Sequence, residues 1–138
     1  MNSLCLVDTS VWIYALRKTF VPEIKSYVER IIDDDRIVIV PIIKLELLAG
    51  TRTKKEFFRL KSRLDALPEV AFNERLWDTA QELAFRLRRK GLAIPLIDIL
   101  IIAGAKSADA VLVHRDRHFD LAAKHLAFKA EHLSAEFT

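Results

Sequence analysis

Four short apolar runs, residues 4–7, 36–40, 110–114 and 126–130, recur along the chain, and helical patterns fill the gaps between them. Strands that are this short, and apolar on successive residues, are buried on both faces. The helical segments supply the crossovers that parallel strands require. The pattern predicts an α/β fold with a mostly parallel central sheet of four to five strands, the fifth being residues 69–72 (EVAF), and helices covering both faces. A length of 138 residues suits a single domain over 1–138.

The helix boundaries carry their own signals. Asp8, Thr9 and Ser10 can cap a helix over 11–18. Pro22 opens a helix over 22–32, and the acidic triplet 33–35 turns the chain into the second strand. Pro41 opens a helix that Gly50 stops. Residues 54–67 read as an amphipathic helix, and Asn73 caps another over 74–90 with an apolar stripe at 76, 77, 80, 83, 84 and 87. Gly91 closes that helix, Pro95 opens an apolar one, and residues 116–125 read as a short helix.

Hydrophobic residues at 51% and charged residues at 30% exclude a disordered or fibrous chain. A net charge of +3 permits a polyanionic partner without demanding one. A single cysteine, Cys5, excludes a disulfide framework and a cysteine-based zinc site. The first ten residues lack a basic leader region, and the longest apolar run is too short for a span and contains Asp98. These features predict a cytoplasmic protein with no membrane association.

Asp98 is the only ionisable side chain between Leu92 and Ala105. An ionised carboxylate in apolar surroundings costs on the order of several kcal/mol unless compensated. The helix around it is apolar on all sides, which predicts burial. Asp8 directly follows the first strand, and Asp116 follows the strand at 110–114 by two residues. Both lie where ligands bind in parallel sheets, beyond the strands' carboxyl ends. Glu46 shares a helical face with Ile42, Ala49 and Gly50 and is expected on the core side. Clustered carboxylates repel, and a divalent cation resolves the repulsion. Oxygen donors suit Mg2+ or Mn2+ over zinc. With no phosphate-cradling glycine motif in the chain, an acid-held cation points to phosphodiester hydrolysis.

Four segments in order, LVDTSVWI, IIKLELLAG, PLIDILIIAGA and VLVHRDRHFD, resemble the four acidic motifs of PIN-domain ribonucleases, most of all the VapC toxins of prokaryotic toxin–antitoxin pairs. The resemblance spans nearly the whole chain. It implies a Mg2+-dependent endoribonuclease, with Mn2+ as a substitute ion, and an acidic site of Asp8, Glu46, Asp98 and Asp116. Thr9 or Ser10 falls where the family places a supporting hydroxyl. His114 stands where the last motif usually has Thr, and His118 where a second acid often follows, with Asp120 the acid at hand to substitute. The implied partners are an RNA substrate and a VapB-like antitoxin whose tail lies across the site. The assembly would be a homodimer or a toxin–antitoxin hetero-oligomer. Trp12, Tyr14, Phe57 and Phe58, read as lying outside the core, are candidate partner surface.

Other readings weigh less. An aspartyl phosphatase using Asp8 as nucleophile wants an acid where Ser10 stands. A non-catalytic RNA- or protein-binding PIN-like module needs no acids, yet all four are present. His114 and His118 lack the glutamate of a zinc-protease helix motif, which leaves them structural or substrate-proximal roles. The basic stretches 51–63 and 86–90 suit either RNA contact or a solvated helix face.

Overall fold

The computed structural model describes residues 3–16 and 21–133. In chain order the elements are β1 (Cys5–Val7), α1 (Thr9–Leu16), α2 (Pro22–Asp33), β2 (Ile37–Val38), α3 (Pro41–Ala49), α4 (Lys54–Asp65), α5 (Glu74–Arg89), α6 (Leu96–Ser107), β3 (Val111–His114), α7 (Arg117–Ala123) and β4 (Ala130–His132). The expected end of the first helix, residues 17 and 18, lies outside the described residues. The four strands form one sheet in the order β2-β1-β3-β4, and every pairing is parallel.

The topology follows from the connections. The crossover from β1 to β2 runs one way along the sheet, and those from β2 to β3 and from β3 to β4 run the other way. Right-handed crossovers then place α1 and α2 on one face and α3 to α7 on the other. Leu6, Val7, Leu112 and Val113 are fully buried between these layers. The strand order reverses between β1 and β3, so the crevice beyond their carboxyl ends is the natural ligand position. α6 packs closely enough that a Cβ on Gly104 would stand 2.8 Å from Val40 Cγ1.

Five expectations are revised by packing. The last strand begins at Ala130 rather than at 126, because Leu126 closes back on α7 through its N–H to the Ala122 carbonyl and turns inward. Residues 69–72 supply one parallel bridge, Ile39 to Glu69, and no strand. Trp12 is buried, and Ile13 and Leu16 are the exposed apolar side chains of α1. α6 is not buried all round: Leu96 is 58% and Ile97 45% exposed, because its first turn sits at the open end of the sheet. The core face of α3 is Ile43 and Leu47, one step round the helix from the face carrying Glu46, which is exposed.

Candidate active site

The site starts at the β1–α1 junction. Asp8 is buried at the carboxyl end of β1, and its amide donates to the Val113 carbonyl at 2.9 Å, which holds it against β3. Its Oδ2 accepts from the Ser10 amide at 3.0 Å and from Ser10 Oγ at 2.6 Å. The carboxylate therefore caps α1 as well as pointing into the crevice. Burial raises the Asp8 pKa, the two Ser10 bonds oppose that rise, and the charge of Asp116 adds to it. Ser10 Oγ also accepts the Arg115 amide at 2.9 Å, so one hydroxyl ties the β1–α1 junction to the β3–α7 loop.

Glu46 approaches from α3 by way of Thr9, whose Oγ1 donates to Glu46 Oε1 at 2.9 Å. Desolvation in the crevice raises the Glu46 pKa, Asp8 reinforces it and the Thr9 bond opposes it. Asp116 caps α7 by accepting the His118 amide at 2.9 Å on Oδ1. Asp98 lies in the first turn of α6, and its side chain is only 16% exposed. Its pKa is pushed up to about 6, first by burial and then by the charges of Asp116, Asp8 and Glu46, with His118 opposing. All four predicted acids thus act on one another across a single crevice.

Sequence reasoning left His118 outside the acid group, and the fold puts it against two of the four acids. Its Nδ1 lies 3.3 Å from Asp98 Oδ2 and 3.3 Å from Asp116 Oδ1. The ligand atoms of the three residues lie within 4.8 Å of one another. Asp120 is engaged elsewhere: its Oδ2 meets His132 Nδ1 at 2.6 Å, and its Oδ1 lies 3.8 Å from His114 Nε2. His114 is fully buried, accepts the Asp116 amide on Nδ1 at 3.2 Å, and packs against Phe119 and His132. Desolvation lowers its pKa, so the ring is held neutral. His132 was not foreseen, because only the parallel register of β3 with β4 sets it opposite His114. Arg115 stacks on the Tyr14 ring at 4.7 Å, and its buried Nη1 has no hydrogen-bond partner among the described residues.

The donor chemistry fits a divalent cation. Asp98 and Asp116 are drawn together by the fold, the charges of Asp8 and Glu46 act on Asp98 as well, and no lysine or arginine forms an ion pair with any of the four among the described residues. One histidine faces four carboxylates so arranged, and a hard cation supplies the further positive charge that they favour.

The chain is similar to known proteins over most of its length. The family model described as PIN domain matches residues 5–125. Ribonuclease VapC18 of Mycobacterium tuberculosis is 26% identical over 118 residues, covering 83% of each chain. Among solved structures, VapBC2 from Rickettsia felis bound to a DNA fragment from its promoter superposes with a TM-score of 0.78 at 24% identity, over 95% of this chain and 99% of that one. VapBC-1 from nontypeable Haemophilus influenzae gives a TM-score of 0.74 at 21% identity, over 94% and 97%. The structural likenesses establish the fold, and the match to the family model, over most of the length and through all four acids, establishes the family: the chain belongs to the PIN-domain family.

Proposed function

We propose that this chain is a divalent-cation-dependent endoribonuclease, a VapC-like toxin that hydrolyses RNA phosphodiester bonds and is held inactive by a cognate VapB-like antitoxin. The observation that carries the reading is the gathering of Asp98, Asp116 and His118, with donor atoms within 4.8 Å of one another, beside the charges of Asp8 and Glu46. Asp8, Glu46, Asp98 and Asp116 would hold Mg2+, with Mn2+ able to replace it. When bound, the ion supplies the charge that acidifies a water molecule and polarises the phosphoryl oxygen. The similarity to a ribonuclease, VapC18, supports the reaction class. The similarity to VapBC assemblies supports an antitoxin partner.

The chain's own residues have distinct roles in this scheme. Ser10 pins Asp8 through two donors, so its carboxylate is set before substrate arrives. Thr9 orients Glu46 in the same way. Arg115, braced on Tyr14 one residue from Asp116, offers a fixed guanidinium to a phosphate oxygen of the RNA. The exposed Ile13, Leu16, Leu45 and Phe58 offer apolar surface to an antitoxin or to a second copy of the chain. No helix among the described residues is long and apolar enough to cross a membrane, and we place the activity on RNA in the cytoplasm, within one domain over 1–138.

Incubation of the purified chain with a mixed RNA substrate tests the proposal. Cleavage is expected in Mg2+ or Mn2+, lost in EDTA and restored when metal is returned. Asp98→Asn and Asp8→Asn, both still folded by circular dichroism, should each lose nearly all cleavage. Undiminished cleavage in EDTA, or by the folded variants, overturns it.

A further inference from the structure

We propose that His118 is a nitrogen ligand of the cation at this site, and that it biases the site toward a first-row transition ion such as Mn2+ over Mg2+. The inference rests on the reading that Asp98 and Asp116 hold the ion. It goes beyond that reading by changing the donor set, which the sequence had suggested was oxygen alone.

The geometry of three side chains carries it. His118 Nδ1 lies 3.3 Å from an oxygen of Asp98 and 3.3 Å from an oxygen of Asp116. Neighbouring donors of an octahedral ion sit about 3 Å apart when each metal–ligand bond is about 2.1 Å. The imidazole nitrogen is therefore spaced from both carboxylates as a fellow ligand would be. The main chain keeps it there: the His118 amide donates to Asp116 Oδ1 at 2.9 Å, so ring and carboxylate leave the same turn of α7 together. The ring is half exposed, 44% for the side chain, so solvent can reach Nε2, while Nδ1 is the ring nitrogen turned toward the two acids. In this it differs from His114, whose Nδ1 already accepts the Asp116 amide and which therefore carries its proton on Nε2.

A nitrogen donor has a chemical consequence. Imidazole is a good ligand for most first-row transition ions, and Mn2+, though the weakest binder of that series, accepts it more readily than Mg2+, which selects oxygen and gives up its water reluctantly. Exchanging one oxygen for an imidazole nitrogen should thus strengthen Mn2+ binding relative to Mg2+, and a carboxylate at position 118 should narrow that difference.

The test is pulsed electron paramagnetic resonance on the full chain loaded with Mn2+, with calorimetric titration of Mn2+ and of Mg2+ in parallel. The parent should show nitrogen-14 coupling to the bound Mn2+, and His118→Gln should lose it. His118→Asp should narrow the ratio of Mn2+ to Mg2+ affinity by about tenfold. Asp98→Asn serves as the control for the site itself, and urea melts in EDTA confirm that each variant is folded. If Mn2+ binds, Asp98→Asn abolishes that binding, and the parent shows no nitrogen coupling or His118→Gln retains it, the inference fails while the metal site stands. If Mn2+ binding is absent, or is unaffected by Asp98→Asn, the metal reading fails and the inference with it.

Discussion

Ser10 Oγ accepts the backbone N–H of Arg115 at 2.9 Å while donating to Asp8 Oδ2 at 2.6 Å. A hydroxyl can do both at once, and no apolar side chain of that size can. Ser10→Ala would leave the Arg115 amide without its partner and free the Asp8 rotamer. An unsatisfied buried donor costs about 1–3 kcal/mol. Urea denaturation should register a loss in that range, and RNA cleavage should fall more steeply than the loss of folded protein explains. A variant of unchanged stability and activity would show that this bond joins the two loops to no effect.

Asp98 sets a stability expectation with a definite pH sense. Its folded pKa of about 6 lies above the ordinary 3.8. Between those values the folded protein holds a proton that the unfolded chain has lost, so this group's contribution falls as pH rises through the window. At pH 7 in EDTA the charge costs stability, and Asp98→Asn should be more stable than the parent by about 1–3 kcal/mol. The advantage should shrink as pH falls from 6 toward 4. In Mg2+ at about a hundred times its dissociation constant the parent should gain about 2.7 kcal/mol, and the variant less. Urea melts in EDTA and in Mg2+ across that pH range check all of these points. A variant less stable in EDTA would mean that the His118 ion pair outweighs the repulsion among the acids.

His114 works in the opposite direction. Burial holds its pKa below 6.5. As pH falls through 6.5 the unfolded chain takes up a proton that the folded one refuses, and stability falls with it. In the Asp98→Asn background, which removes the opposing contribution, the parent histidine should give a melt midpoint that drops between pH 6.5 and 5. His114→Gln should flatten that slope. Nuclear magnetic resonance titration should find the His114 ring still neutral at pH 6; a ring that titrates like a free histidine contradicts the assignment.

Gly104 should resist replacement although it lies inside a helix. Alanine usually stabilises such a position by about 0.5–1 kcal/mol. Here its Cβ would stand 2.8 Å from Val40 Cγ1, with Phe72 and Leu6 close behind. Gly104→Ala should therefore destabilise by about 1–3 kcal/mol, the usual cost of overpacking. Because α6 carries Asp98 at its other end, metal affinity should weaken as well. Thermal melts and metal titration read the two effects separately, and a stabilised variant would show that α6 can shift without cost.

The sequence by itself determined whatever depends on near neighbours. Alternating strand and helix patterns specified the parallel sheet, and every described helix overlaps an expected segment, with α1 starting two residues early and α2 ending one residue late, because proline, asparagine and glycine signals act over one turn. Asp8, Asp98 and Asp116 were legible as candidate site acids for the same reason: two lie within two residues of a strand's carboxyl end, and the third is a charge in an apolar run with no local compensation. Only the tertiary structure decided what depends on contacts between distant segments. Glu46 is on the open flank of α3 because Ile43 and Leu47 occupy the core, a choice between adjacent helix faces that α3 alone leaves undecided. Trp12 is buried on an α1 that packs against α2. His132 faces His114 because β3 and β4 pair in one register and no other. His118 meets Asp98 because α6 and α7 converge on the same end of the sheet. Burial and periodicity are properties of a segment, whereas the meeting of two side chains is a property of how segments are docked, and docking is set by the summed packing of the whole core.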